Sequence, residues 1–345
     1  DLASLLRVCD ISAVFSDVKW RNVVFAEPVT CSIVREPGIT ALYAGKDDSL
    51  SGYLLDDGTF SLEAGKEFPI TFKADGSIVG NAIDVTVSGL RAEMQRIWPY
   101  TGFDVLAFHS GTVNGNLRIQ GLLFDPEFTG NFIATNVQLT APGTLDGTYF
   151  AEPFEIVAHE KLLTAGPFLV NGKEGAMRMD ARVEFDRWFP TNTVLNGRTL
   201  PGDRVRLKAD TYFFKASGLA SCDLQLTYDS GGIGLTGDVM FERGSFAVLF
   251  TNFYKKGDSS FPYEVNIDLG LTIGKKVEFR WPSDDLPILR GLVQAEDPFR
   301  ISLDTASGTY RFKGSADLKG GEIFYAKRSF YLRKGQITFN ENQDS

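Results

Sequence analysis

The sequence predicts an all-β protein: a long, mostly antiparallel sheet with one apolar face, plus one or two short helices. Three observations predict it. Apolar residues recur at every second position, Gly and Asp interrupt the pattern at short intervals, and helical spacing is nearly absent over 345 residues. The 28 phenylalanines keep the same two-residue period, which places one apolar face inward on a half-buried sheet.

In chain order, the opening "DLASLLRV" is a helix candidate. "IDVTVSGL" (83–90) alternates as a strand. The best helix is "GLRAEMQRIWPY" (89–100), centred on residues 89–98, where Leu90, Met94, Ile97 and Trp98 share a face and Pro99 stops the run. "ARVEFDRWF" (181–189), "YEVNIDLGLTI" (263–273) and "KVEFRW" (276–281) alternate as strands. "VRLKADTYFF" (205–214) sets Val205, Leu207 and Ala209 against Arg206, Lys208 and Asp210. "LDDGTF", "KADGSI", "YDSGGI", "ERGSF", "SGTYRF" and "LKGGEI" read as short turns, so antiparallel neighbours are expected; no stretch has room for the crossover helices of a parallel sheet.

An internal repeat runs through this pattern. "GDVMFERGSF" (237–246) and "GSADLKGGEI" (314–323) share the frame Gly, x, apolar, x, apolar, x, x, Gly, x, apolar. Weaker copies stand at "GYLLDDGTF" (52–60) and "GNLRIQGLLF" (115–124). Such repeats suggest an array that grows by adding hairpins. Roughly 20 strands at about 4.8 Å each would make a sheet on the order of 90 Å long. Three stretches of one elongated domain are expected: 1–108 with the short helix, a central 109–262, and a C-terminal 263–345.

Composition narrows the function classes. A net charge of −9, from 44 acidic and 35 basic residues, argues against a nucleic-acid partner. Cys9, Cys31 and Cys222 have no metal or redox spacing and read as small buried hydrophobes with one disulfide at most. His109 and His159 read as half-buried or turn-proximal rings. The neighbouring acids Asp56–Asp57 and Asp284–Asp285 read as solvated turn residues, since adjacent side chains on a strand point apart. No nucleophile motif, phosphate loop or defensible carboxylate pair is present, so the expectation is a protein without enzymatic activity, cofactor or metal. Lys327, Arg328, Arg333 and Lys334 form a basic cluster. It guards a near-terminal strand against pairing with strangers, or meets anionic head groups or a partner's acidic loops.

What covers so much apolar surface then decides the function. Phe246, Val248, Phe250, Val277, Phe279, Trp281, Phe330 and Leu332 would line one long trough if strand register keeps them on a common side. Leu117, Ile119, Val205, Leu207, Leu318 and Ile323 extend the same wall. A long apolar groove without a polar specificity site suits a chain-like apolar ligand such as phospholipid acyl chains. About 30 methylenes at ~0.8 kcal/mol each put the cost of exposing two such chains to water on the order of 20 kcal/mol. A β-solenoid would instead pack this face wholly against itself. An outer-membrane barrel is disfavoured because many strands read as shorter than a membrane crossing needs.

The C-terminal segments carry a resemblance. "YEVNIDLGLTIGKKVEFRWPSDDLPILRG" (263–291) and "FRISLDTASGTYRFKGSADLKGGEIFYAKRSFYLRKGQITF" (299–339) closely resemble the C-terminal domain of the translocation and assembly module family TamB, within the AsmA-like superfamily. The motif "G-x-I-x-Y" stands at Gly321, Ile323 and Tyr325. The closing "F-x-I-x-x-G-x-I-x-F" stands at Phe330, Leu332, Gly335, Ile337 and Phe339. "HSGTVNGNLRIQGLLFDPEFTGNFIATNVQLTAPG" (109–143) is similar to the superfamily repeat. "DDLPILRGLVQAEDPF" departs from the pattern with Pro287 and an acidic insert, and the chain stops soon after Phe339. The resemblance implies a protein that spans the periplasm of a two-membrane bacterium, anchored in the inner membrane by an N-terminus absent here. Its long, curved sheet, folded lengthwise into an open, taco-like groove with an apolar interior, would carry phospholipid toward an outer-membrane barrel partner. The family implies an alternative too: an assembly factor for outer-membrane β-proteins or autotransporter clients.

Overall fold

The computed structural model describes residues 10–16, 19–20, 23–24, 29–101, 106–210, 214–248, 264–282, 287–294, 298–325 and 327–343. Within them the chain is all-β, and the sheet is open instead of closing into a barrel. In chain order the first strands are β1 (Ile11–Phe15), β2 (Lys19–Trp20), β3 (Val23–Val24), β4 (Val29–Glu36), β5 (Ile39–Ala44), β6 (Leu50–Leu55), β7 (Thr59–Ala64), β8 (Ile70–Val79) and β9 (Ala82–Glu93). A single-turn helix α1 (Met94–Ile97) follows, then β10 (Ala107–Leu122), β11 (Asp125–Thr140), β12 (Tyr149–Ala151), β13 (Phe154–Glu160), β14 (Leu162–Asn171), β15 (Ala176–Asp186) and β16 (Phe189–Thr199). Next come β17 (Val205–Asp210), β18 (Phe214–Asp229), β19 (Gly232–Val248), β20 (Val265–Ile273), β21 (Val277–Trp281), β22 (Leu289–Gln294) and β23 (Phe299–Asp304). The last are β24 (Thr309–Tyr325), β25 (Arg328–Leu332) and β26 (Gly335–Gln343).

The chain forms two compact units, one comprising 1–139, 151–166 and 182–191, the other 140–150, 167–181 and 192–345. In the first, β1 and β4 to β10 pair successively as antiparallel neighbours, and β11, β13 and β14 continue in the same sense. One face is apolar. Ala74, Ile83, Val85 and Val87 are buried, and Phe60, Leu62, Phe72, Ile78 and Leu90 pack against them. The opposite face carries cross-strand ion pairs such as Arg118–Asp84 at 2.9 Å, which favour this register over a slipped one.

In the second unit β16 and β17 both pair with β18, and β18 with β19, all antiparallel. β19 then takes two parallel partners end to end: Ile233–Phe241 lies beside β20, and Gly244–Ala247 beside β21. The break between these partners, at Gly274 to Lys276, lies opposite a bulge in β19. Arg243 adopts φ 51° there, and its amide donates to the Lys275 carbonyl at 2.9 Å. β20 pairs with β23 and β21 with β22, and both β22 and β23 pair with β24, which finally holds β25 and β26.

This sheet is strongly curled. Phe279 on β21 and Phe339 on β26 are three strand pairings apart, which in a flat sheet would separate them by at least about 14 Å. Their ring centroids are 5.8 Å apart. Phe339 also meets Phe312 at 4.8 Å and Phe299 at 5.8 Å, so the concave face holds a phenylalanine cluster.

Several sequence expectations are corrected. The helix is only Met94–Ile97, because Gly89 to Glu93 completes β9. The register of β9 shifts near Gly89, which adopts φ 59° and donates its amide to Asn116 Oδ1 at 3.2 Å. That extra residue breaks the two-residue period and mimics helical spacing at Leu90. "KADGSI", "ERGSF" and "LKGGEI" are not turns; they lie inside β8, β19 and β24, where glycine makes room for a neighbouring strand or ring. "ARVEFDRWF" contains a hairpin turn between β15 and β16. Strands reach 17 residues in β19 and β24, so shortness is no argument against a barrel; openness is. The β19 pairings with β20 and β21 are parallel, against the antiparallel expectation. The opening "DLASLLRV" and Cys9 lie outside the described residues.

Candidate functional site: an apolar face with an exposed end

Register decides which side chains share a face, since directly opposed residues point the same way. Across the second unit Phe246 stands opposite Phe279, Phe279 opposite Gly291, and Gly291 opposite Gly321. Val277 opposes Val293, and Val293 opposes Leu318. A third row runs Trp281, Leu289, Ile323, Phe330, and Gly321 opposes Leu332. Val205 and Leu207 oppose Ala220 and Gly218 on β18, and Ala220 opposes Phe241. The structure therefore brings Val205, Leu207, Phe246, Val277, Phe279, Trp281, Leu318, Ile323, Phe330 and Leu332 to one face of the second unit.

Two bulges make this possible. The frame shared by β19 and β24 contains an odd three-residue step, from Phe241 to Gly244 and from Leu318 to Gly321, which would turn the strand over. In β19 the register against β18 slips between Ser217 and Leu219; in β24 Lys319 is skipped opposite Leu292 and Val293. Each bulge absorbs the odd residue, so Phe246 stays on the side of Phe241, and Ile323 on the side of Leu318.

In the first unit Leu117 opposes Val87 and Ile119 opposes Val85, so both stand on its apolar face, half-buried against the cluster. Val248 ends β19 opposite Phe214, and Phe250 lies outside the described residues.

Burial varies along the face of the second unit. Val277 is 0% exposed and Phe246 and Phe279 are each 2% exposed, sealed by ring contacts such as Phe246–Phe279 at 5.2 Å. The row at the strand ends is open: Trp281 is 36% and Phe330 52% exposed. Lys327, Arg328, Arg333 and Lys334, all exposed, flank this end. On the reverse face Glu278 lies between Arg280 at 3.3 Å and Arg290 at 2.9 Å. Burial pushes its carboxyl pKa up, but hydrogen bonds from the two guanidinium groups outweigh this and hold it below the usual range.

The sequence reading missed Phe241, whose ring lies against Gly218 and Gly244: a Cβ on either glycine would meet it at 2.8 or 2.7 Å. It missed Phe299, Phe312 and Phe339 as packing partners as well. The available signal was glycine itself, because Phe299 covers Gly314 in the same way. His109 and His159 are exposed. Cys31 and Cys222 are free thiols, and burial, partly offset by a backbone hydrogen bond at Thr199, pushes Cys222 up to about 11.

Chemically the face offers contact and little else. Among the described residues Thr199 is the polar side chain in the buried set, and no buried side-chain nitrogen or oxygen lacks a partner. Thr199 Oγ1 accepts from the Cys222 amide at 3.1 Å. No group of three or more His, Cys, Asp or Glu gathers among the described residues, and no described helix is long and apolar enough to cross a membrane.

No protein-family model matches the chain, and no curated protein or solved structure is significantly similar to it.

Proposed function

We propose that this chain is a non-enzymatic phospholipid carrier that shields acyl chains along its apolar sheet face. We also propose that it is a TamB-like member of the AsmA-like superfamily. It would work in the periplasm of a two-membrane bacterium between an inner-membrane anchor and an outer-membrane barrel partner. The observation that carries the reading is the one-sided apolar wall. Residues from many strands meet on one face, half-buried in the first unit and exposed at the strand ends of the second. Among the described residues the polar groups that register puts on it, Arg35 and Thr40 in the first unit and Thr193 and Tyr228 in the second, stand near strand ends, so the rows at Leu117 and Val277 are apolar throughout, which fits a ligand held by its hydrocarbon. In the sealed phenylalanine section an acyl chain would have to displace rings, so binding is expected at Leu117, Ile119 and the Trp281–Phe330 row.

The test is native mass spectrometry with lipid extraction on protein purified without detergent. Phospholipid is expected to co-purify, and the half-buried substitutions Leu117→Asp and Ile119→Asp are expected to strip it from protein that keeps its β circular dichroism. A clean apo mass with no uptake from liposomes would overturn the reading and favour assembly of client β-proteins.

A further inference from the structure

We propose that the β24–β25 hairpin tip is a docking element for anionic bilayer surfaces. The tip is unusual in both charge and exposure. Between Leu318 and Gly335 stand five cations (Lys319, Lys327, Arg328, Arg333 and Lys334) and one anion, Glu322, within a chain whose net charge is −9. Tyr331 is 82%, Tyr325 70%, Phe330 52% and Phe324 36% exposed.

The arrangement of these rings selects the occupant. Register places Tyr325, Arg328 and Phe330 on one face of the hairpin, and Phe324 and Tyr331 on the other. A protein groove engages one face of a two-stranded tip. A bilayer interface surrounds it, and there aromatic rings sit at head-group level while Lys and Arg contact anionic lipid. The tip backbone is already paired from Gly321–Leu332 to Tyr325–Arg328, so it enters the interface without stripping these amides of partners. Arg328, between the rings, holds the depth at the head groups. Asp284 and Asp285 of the neighbouring β21–β22 connection lie outside the described residues. The element shares Phe330 with the row that would hold lipid, so the substitutions that test it spare that ring.

The experiment is sedimentation of the full chain with phosphatidylcholine vesicles, and with the same vesicles carrying phosphatidylglycerol, at low and high salt. Binding is expected only with phosphatidylglycerol and is expected to weaken with salt. The pair Lys327→Gln and Arg328→Gln should weaken it about thirty-fold, at roughly one surface charge's attraction each. Tyr325→Ser with Tyr331→Ser should weaken it as well. Equal sedimentation on both vesicle types, binding unchanged in the Gln pair, or no sedimentation at all would overturn the proposal. The last outcome would point the tip to an acidic protein partner. The exposed substitutions leave the interior intact, and the salt series on the unaltered chain gives an answer even if a variant misfolds. Lipid extraction on the same samples separates the two proposals. The Gln pair should keep co-purified phospholipid, while Leu117→Asp should lose it and still sediment with the vesicles.

Discussion

At the scale of single residues, the packing logic is aromatic rings laid over glycines of the same or the adjacent strand. Phe241 is 1% exposed and covers Gly218 and Gly244, and Phe299, also 1% exposed, covers Gly314. A glycine inside a strand leaves its neighbourhood hollow, and a ring from the same strand or the next fills the hollow. Phe241→Ala is therefore expected to cost about 3–5 kcal/mol in urea unfolding. Gly244→Ala should cost about 1–3 kcal/mol by overpacking, because its new methyl meets the Ser217 carbonyl and the Gly218 backbone of β18 as well as the Phe241 ring. Equal midpoints for Gly244→Ala and the unaltered chain would show that the ring and the β18 backbone both yield freely. Alternation alone made Val277, Phe279 and Phe246 legible in the sequence. Phe241 was not, because the "ERGSF" that follows it looks like a turn when its glycine is read as a breaker instead of a seat for a ring.

At the scale of elements, the bulge is what lets a 17-residue strand keep one apolar side through an odd step. Deleting Glu242 together with Arg243 from β19 removes the spare residue and one more, and should turn everything beyond it over, sending Phe246 to the solvent side and Ser245 inward. The expected outcome is a chain that binds the hydrophobic dye ANS and loses its sharp thermal transition. A deletion variant that melts like the parent would mean that the two parallel partners, not the bulge, set the sidedness of β19. The shared frame at Gly237 and Gly314 was visible from sequence, but its structural meaning was not. Two consecutive non-apolar positions look like a connection, and only the pairing with β18 or β22 shows that one is a spare residue in a continuous strand. The same blindness produced the overlong helix, since a bulge at Gly89 and a helical turn leave similar spacing behind.

At the scale of the whole molecule, stability is tied to carboxylates spread over both units. Hydrogen bonds lower Asp84 through Arg118 and Asp75 through Ser61 and Lys73 in the first unit; in the second they lower Asp304 through Ser307, while Glu278 is held down by its two arginines against the opposing effect of burial. Each has a folded pKa below its unfolded value. Their contribution is thus complete above the ordinary carboxylate range, about pH 4, and is lost as pH falls through the folded values. Asp75 and Asp84 are solvent-exposed and Asp304 is half-buried at a strand end, so salt screens these interactions. Thermal melts should be flat from neutral pH down to about 5, then fall steeply, and less steeply in high salt. A melting temperature indifferent to pH down to about 3 would remove these groups from the account. Fold class was legible at this scale because two-residue periodicity is a property of composition and order alone. Which parts of the apolar face are sealed and which are open was not, because curl brings together residues as distant in sequence as Phe279 and Phe339.

The bulged frame has one more consequence. A strand that spends an odd number of residues and still ends on the side it began is neutral to copying: a duplicate spliced in beside it inherits the same sidedness without compensating changes. Gly237–Phe246 and Gly314–Ile323 already stand in that relation, each bulged just before its second glycine. Such a lineage can lengthen its sheet by gene duplication alone, one hairpin at a time, and each new strand presents its oily residues to the same interior as its parent.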